Sequence, residues 1–171
     1  MPDIRQAFQS TRLLPGHDVS SFDCGAPALN QWLRSEANRA QQQGTARTTV
    51  WIDPNGLVAA FYSVCPTSVQ RTGLPRSASG GNTVLPAYLL ARLALDKQLQ
   101  GRHLGAQLLV DALEQLDQAT TRFGGRLVVV DAIDDRAASF YENFGFHLIS
   151  GSNRLYLTAA SLHSAAEQAR H

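Results

Sequence analysis

Three features of this sequence predict an α/β fold built on a mixed sheet. The apolar run Tyr88-Leu89-Leu90-Ala91-Arg92-Leu93-Ala94-Leu95 enters a glycine-bearing turn and then opens directly into an amphipathic helical pattern. Leu127-Val128-Val129-Val130 is apolar at every position, as expected of a strand buried on both faces in parallel pairing. Two β-branched and aromatic runs flank Asp53-Pro54-Asn55-Gly56, a turn sequence that makes them an antiparallel hairpin. A strand-to-strand crossover through a helix requires a parallel pair and should be right-handed. A chain of 171 residues fits one domain over 1–171 with a substantial core, and is too short to expect two.

The elements follow in order. Leu29, Trp32, Leu33, Ala37 and Ala40 fall at helical spacing, with Pro27 tolerated in the first turn, so a helix is expected near 26–42. The hairpin strands are 48–52 and 57–64. Residues 66–86, with Pro66, Gly73, Pro75, Gly80, Gly81, Asn82 and Pro86, read as a long irregular loop, the kind that is functional or mobile in a compact domain. A strand at about 88–96 leads into the glycine turn. From Leu104, residues Leu108, Leu109, Ala112, Leu113 and Leu116 mark one helix face, running to about Thr121. Gly124-Gly125 stops it before the 127–130 strand. Asp131 to Asp135 cap a helix carrying Ala137, Phe140, Tyr141 and Phe144, with Gly145 expected at its C-cap. Phe146–Ile149 and Arg154–Leu157 form a closing strand pair, and 159–169 a final helix.

Composition narrows the class. Hydrophobic residues at 44% with 17% charged residues describe a globular chain. No apolar stretch approaches the roughly 20 residues of a membrane span. Met1-Pro2-Asp3-Ile4-Arg5-Gln6 lacks a basic segment followed by an apolar one, so no secretory signal is expected. Cys24 and Cys65 make neither a disulfide framework nor a metal set and read as small hydrophobes in a reducing cytoplasm. His17, His103, His147, His163 and His171 show no metal-ligand spacing. No Gly-x-Ser-x-Gly elbow and no Gly-x-x-x-x-Gly-Lys-Ser/Thr loop occurs, which removes serine hydrolysis and triphosphate hydrolysis.

Of fifteen basic residues only Lys97 is not arginine. From Arg34 to Arg102 eight basic residues stand against three acids; after Arg102 five stand against eight. That asymmetry points to an anionic partner for the first part, or to an ordinary solvated surface.

Gln100-Gly101-Arg102-His103-Leu104-Gly105 carries the chemistry. A strand, a turn of backbone N–H groups and a helix N-terminus make an anion cradle. The segment resembles the Gln/Arg-x-x-Gly-x-Gly/Ala pyrophosphate loop of the GCN5-related N-acetyltransferases (GNAT), with His103 where that pattern has its first glycine. Either the turn keeps φ negative at His103 or its side chain points outward. A second match is Asp135-Arg136-Ala137-Ala138-Ser139-Phe140-Tyr141-Glu142-Asn143-Phe144-Gly145-Phe146. The resemblance implies a GNAT-like mixed, mostly antiparallel sheet with a splayed parallel central strand pair and helices on both faces. It implies acetyl-CoA held by Gln100, Gly101, Arg102, His103, Leu104, Gly105 and Ala106. Leu93, Ala94 and Leu95 would offer backbone groups to the pantetheine arm, and Asp135 belongs to the same cofactor-binding set. Gln100 would assist phosphate binding through its amide, and Arg102 either contacts phosphate or is an exposed residue before the helix. Backbone N–H groups of the central strand would stabilise the developing oxyanion. Tyr141 would donate a proton to the departing thiolate, or else it packs on its helix face beside Phe140.

Leu14 to Gly25, Leu29-Asn30-Gln31-Trp32-Leu33, Gly44 to Thr48, Phe61-Tyr62-Ser63, Leu90-Ala91-Arg92-Leu93-Ala94-Leu95-Asp96 and Arg154 to Leu157 extend the likeness over about residues 11–158. They look like the tRNA-acetylating toxins of bacterial toxin–antitoxin pairs. That resemblance implies a cytoplasmic enzyme acetylating the α-amine of aminoacyl-tRNA, with a ribbon-helix-helix antitoxin as partner and a homodimer as a possible assembly. Arg34, Arg71, Arg76, Arg92 and Lys97 are the candidate tRNA contacts, since arginine binds phosphate bidentately and stacks on bases. Two other readings stand beside it. One is an N-acetyltransferase for a small amine or a protein N-terminus, for which Asp131, Asp134 and Asp135 would favour a cation. The other is an acyl-CoA-binding regulatory module without catalysis.

Overall fold

The computed structural model describes residues 7–169. Met1–Gln6, on which the expectation of no secretory signal rests, lies outside the described residues. Strands β1 (Gln9–Arg12), β2 (Arg47–Ile52), β3 (Val58–Gln70), β4 (Val84–Leu95), β5 (Leu127–Asp131), β6 (His147–Leu148) and β7 (Arg154–Thr158) form one sheet in the order β1-β2-β3-β4-β5-β7-β6. Helices α1 (Pro27–Ser35), α2 (Ala37–Gln43), α3 (Arg76–Ser79), α4 (Leu104–Phe123), α5 (Asp135–Glu142) and α6 (Ala159–Ala169) punctuate them. β4 and β5 pair in parallel, while the β1–β2, β2–β3, β5–β7 and β6–β7 ladders are antiparallel. The chain divides into two compact units: residues up to Cys65 with Ala91–Ala112, and Pro66–Leu90 with residues from Leu113 onward.

In the first unit, Leu13, Phe22, Leu33, Val50, Phe61 and Ala94 build the core. The helix expected over 26–42 is two helices, broken at Glu36, whose φ of −117° leaves the helical range. The hairpin turn is as predicted, with the Asp53 carboxylate accepting the N–H groups of Asn55 and Leu57 at 2.9 Å each. Strand β1 was not predicted. Its residues Gln9-Ser10-Thr11-Arg12 are polar and mostly exposed, so no apolar alternation announces an edge strand that ladders onto β2. One oxygen of Asp111 on α4 accepts Ser10 Oγ (2.7 Å), Trp51 Nε1 (3.2 Å) and the Tyr62 hydroxyl (3.2 Å). This ties the first turns of α4 to three strands. Burial, together with the neighbouring carboxylate, pushes the Tyr62 phenol well above its usual pKa.

In the second unit, Val69, Leu85, Leu127, Val129, Ile149 and Tyr156 form the core. The irregular loop expected over 66–86 is mostly ordered structure. Strand β3 continues through Pro66 to Gln70, past its last β2 pair at Arg47↔Val64, and β4 begins at Val84. Arg71 N–H donates to Thr83 O, closing the connection, and Arg126 Nε donates to Ala78 O at 2.7 Å, satisfying a carbonyl at the end of α3. The parallel ladder covers Ala87↔Leu127 to Leu89↔Val129 and stops there, although both strands run on. β5 then pairs with β7 as far as Asp131↔Arg154.

Candidate functional site

The segment between β4 and α4 is anchored at its base by polar contacts within the first unit. Asp96 ends the strand and caps a single 3-10 turn, Lys97–Leu99, by accepting Gln98 N–H at 3.0 Å. Its other oxygen accepts Asp23 N–H at 3.2 Å. Lys97 N–H donates to Asp23 O (2.9 Å), and the Lys97 ammonium sits 2.9 Å from the Asp23 carboxylate. Asp23 also accepts from Gly25 N–H and Asn30 Nδ2. Lys97, then Gly25 and Asn30, hold the Asp23 carboxyl well below the usual carboxylate range, and the same hydrogen bond raises Lys97. Gln100 Nε2 donates to Cys24 O (3.0 Å) and Leu95 O (2.9 Å). Both protons of that amide are thereby spent, which corrects the expectation that the Gln100 amide donates to phosphate. Gln100 positions the loop. Asp23 and Asn30 escaped the sequence reading of the site, because they lie about seventy positions before the loop and carry no local signal, and Asp96 escaped it because its bond to Asp23 crosses the same distance.

At the tip, Gly101 has φ +82° and His103 φ +59°. Of the two alternatives for His103, the turn does not keep φ negative, and the exposed side chain agrees with the other. The residue takes the left-handed conformation that glycine would favour, and its exposed side chain lies outside the core. A Cβ at Gly101 or Gly105 would meet nothing within 4 Å, so the backbone there faces open space. Among the described residues, the N–H groups of Gly101, Arg102 and His103 have no backbone acceptor. Leu104 then opens a 20-residue helix, whose first N–H groups lack acceptors within the helix and carry the positive end of its dipole. Donors, open backbone and a helix end suit a pyrophosphate group, so the residues present fit acetyl-CoA at this end. Leu93 is half-buried and Ala94 and Leu95 are buried at the end of β4. Leu104 is buried, Gly105 and Ala106 are half-buried, and Arg102 is exposed.

In the second unit, Tyr141 lies in the last turn of α5. Asp134 caps that helix by accepting Ala137 N–H at 2.8 Å, and Asp135 occupies its first turn, exposed. The helix ends at Glu142 and not at Gly145. Phe144 and Phe146 N–H groups both donate to Tyr141 O, and Gly145 at φ +93° lets the chain turn back. A Cβ at Gly145 would make only ordinary contact with Leu157, so the constraint is conformation and not space. The turn brings Phe146 edge-on to Tyr141, with centroids 5.6 Å apart; Phe140 is 5.3 Å away. Burial raises the Tyr141 pKa above its ordinary value, which keeps the phenol protonated at neutral pH.

The five candidate RNA contacts are divided between the two units. Arg71 and Arg76 are exposed in the second unit. In the first unit Arg34 gives Nη1 to Phe22 O at 2.9 Å, Lys97 is paired with Asp23, and the Arg92 guanidinium lies 3.9 Å over the Trp32 ring. The acidic run is also partly spent. Arg154 binds Asp131 through two bonds of 2.7 and 2.9 Å, and Asp134 is a helix cap. Among the described residues no helix is long and apolar enough to cross a membrane.

Comparison with known proteins agrees with this architecture. A family model described as the acetyltransferase (GNAT) domain matches residues 46–148. The chain is 37% identical over 147 residues to the tRNA-acetylating toxin of Mycobacterium tuberculosis, covering 85% of this chain and 87% of that one. The solved structure of AtaT complexed with acetyl-methionyl-tRNAfMet is similar with a TM-score of 0.85 and 26% identity, over 93% of this chain and 99% of that one. A tyrosine-to-phenylalanine mutant of AtaT, bound to acetyl-CoA and the C-terminus of the antitoxin AtaR, is similar with a TM-score of 0.80 and 25% identity, over 94% and 98%.

Proposed function

The chain belongs to the GNAT acetyltransferase family, and from that premise we propose that it is a toxin that acetylates the α-amine of aminoacyl-tRNA and thereby blocks translation. The observation that carries the acceptor is the identity with a tRNA-acetylating toxin across most of both chains. Acetyl-CoA, when bound, supplies the activated acyl thioester.

Gly101, Arg102, His103, Leu104, Gly105 and Ala106 bind the pyrophosphate through backbone N–H groups and the helix end. Leu93, Ala94 and Leu95 offer strand N–H and C=O groups to the pantetheine amides, and one N–H there stabilises the oxyanion. Asp135 completes the cofactor contacts. Tyr141 donates its proton to the departing sulfur; its burial supports this role by keeping the phenol protonated. An α-amine titrates near 7.7–8.0, so part of the acceptor is already neutral at cellular pH and needs no strong base. Arg34, Arg71, Arg76 and Arg92 meet the RNA. Lys97 contributes less, since Asp23 already neutralises it.

A small cationic amine is the weaker acceptor reading, because Asp131 and Asp134 are occupied by Arg154 and the α5 backbone. The reading further includes a bacterial cytoplasmic location, a ribbon-helix-helix antitoxin and a homodimer. Labelled acetyl-CoA mixed with bulk charged tRNA tests the acceptor. Label on the aminoacyl group is expected. Label only in added small amines, or no turnover at all, overturns the reading.

A further inference from the structure

Arg92 is held in a way that an ordinary surface arginine is not. It sits on β4 two positions before Ala94, so the two side chains share a face of the strand. Ala94 and Phe61 belong to the first unit's core, and Trp32 packs against it. The Trp32 ring lies nearly parallel to Phe61, at 15° with centroids 6.1 Å apart, and the Arg92 guanidinium lies 3.9 Å from the Trp32 centroid. Both Trp32 and Arg92 are half-exposed. Among the described residues no carboxylate forms an ion pair with Arg92, and the ionisable group facing it is the Cys65 thiol. Partial burial lowers its pKa, marking a cation withdrawn from water, yet a guanidinium remains charged. Its neighbours differ: Lys97 is spent on Asp23, and Arg34 donates to Phe22 O.

We infer that the Phe61–Trp32–Arg92 stack is a platform that receives an unpaired base from the 3′ end of the RNA acceptor. The inference rests on the aminoacyl-tRNA reading above. A phosphate site needs converging cations and N–H donors, whereas here one planar cation lies over an aromatic ring, 3.9 Å from its centroid. That arrangement offers a face to stack on and an edge to hydrogen-bond, which is how proteins hold single-stranded bases. The location suits the end of the RNA in particular. Arg92 immediately precedes Leu93, Ala94 and Leu95, the segment proposed to hold the pantetheine arm. The nucleotide whose base reaches Arg92 is therefore the one that carries the aminoacyl group or one just 5′ of it. Arginine cannot be exchanged for lysine here, because the ammonium keeps the charge and loses the plane.

A hairpin RNA ending in unpaired CCA, with 2-aminopurine in place of the terminal adenine, tests this without charging. Binding is followed by anisotropy and stacking by 2-aminopurine fluorescence. The wild-type protein should quench the terminal fluorophore on binding, and quench a fluorophore placed in the stem much less. Arg92→Lys should lose the quenching and weaken RNA binding by about tenfold, while the KM for acetyl-CoA stays within about twofold. Bound RNA with an unquenched terminal base in the wild-type protein overturns the platform whatever the variants do. So does an Arg92→Lys variant that quenches and binds as well as wild type. Wild-type transfer of label to charged tRNA, measured separately, decides the acceptor. Quenching without transfer leaves the platform and removes the acceptor reading, and transfer without quenching does the reverse.

Discussion

The segment from Asp96 to Ala106 and the segment around Tyr141 are fixed by different physics. The first is polar and largely solvent-facing. Its base hangs on Gln100, Lys97, Asp96 and Asp23, and its tip on two left-handed residues, Gly101 and His103. The second is apolar. Tyr141 is packed between the rings of Phe140 and Phe146 and clamped by a turn folded back onto its own carbonyl. A loop that works through backbone N–H groups tolerates many side chains but few backbone conformations. A packed phenol tolerates loss of its hydroxyl but not loss of its ring. Substitutions at the two places should therefore separate binding, turnover and folding in different ways.

The largest effect is expected at Tyr141. Tyr141→Phe keeps the ring packing and deletes the proton donor, so the melting temperature should hold while kcat falls by about 10²–10⁴. A rate within a few-fold of wild type would make Tyr141 a packing residue only. The pH profile sharpens the same point. The donor works in its protonated form and burial raises its pKa, so any limb owed to Tyr141 appears only as pH rises past about 10. An alkaline loss of kcat centred near neutrality, absent from the Phe variant, would contradict that order.

Next comes Gly105→Asp, where folding and binding should move in opposite directions. The added Cβ meets nothing within 4 Å, and an acid in the first turn of α4 favours the helix by about 0.3–1 kcal/mol. The same charge opposes pyrophosphate, so acetyl-CoA affinity should drop by at least about tenfold, or about 1.4 kcal/mol, in calorimetric titration. Unchanged affinity would move the phosphate site elsewhere.

Which of these features could be read from the residues follows from the same contrast. Glycines and a helix start mark the loop tip locally, and the Phe-Tyr pair with the later Gly-Phe marks the α5 turn. Those signals lie within a few residues of the chemistry. The loop's base had no such mark: Gln100 reaches Cys24 and Asp96 reaches Asp23 across the sequence. Strand β1 was hidden because its residues are polar, and the ordered part of 66–86 because Pro66, Gly73 and Pro75 signal loops. Pro66 is accommodated in β3 beyond the last recorded pair with β2, and α3 is stabilised by Arg126 from a distant position. Local rules found the elements that local forces make.

The base of the loop should respond more modestly than its tip. Gln100→Ala removes two hydrogen bonds, each worth about 0.5–1.5 kcal/mol, so unfolding should become easier by about 1–3 kcal/mol. A chain of this size should then melt roughly 2–12 °C lower. If Gln100 acts only by holding the loop, the KM for acetyl-CoA rises in step with the loss of stability, and Gln100→Glu does not rescue either. A variant of native stability with a raised KM would return Gln100 to direct phosphate contact.

The smallest effect is expected at His103, and it asks whether this loop depends on a side chain at all, as the Tyr141 site does. A residue other than glycine at φ +59° costs about 1–2 kcal/mol in the folded state. His103→Gly removes that strain but adds freedom to the unfolded chain, worth about 0.4–1 kcal/mol against folding. The balance is a gain on the order of 0.5 kcal/mol, seen as a melting temperature about 1–2 °C higher. His103→Ala keeps the strain and removes only the imidazole, so its stability should match wild type. If the backbone alone cradles the pyrophosphate, both variants bind acetyl-CoA as tightly as wild type, and the Gly variant somewhat more so. Equal losses of affinity in both would give the imidazole a phosphate contact of its own. In that case the tip would resemble the α5 site, working through one irreplaceable side chain.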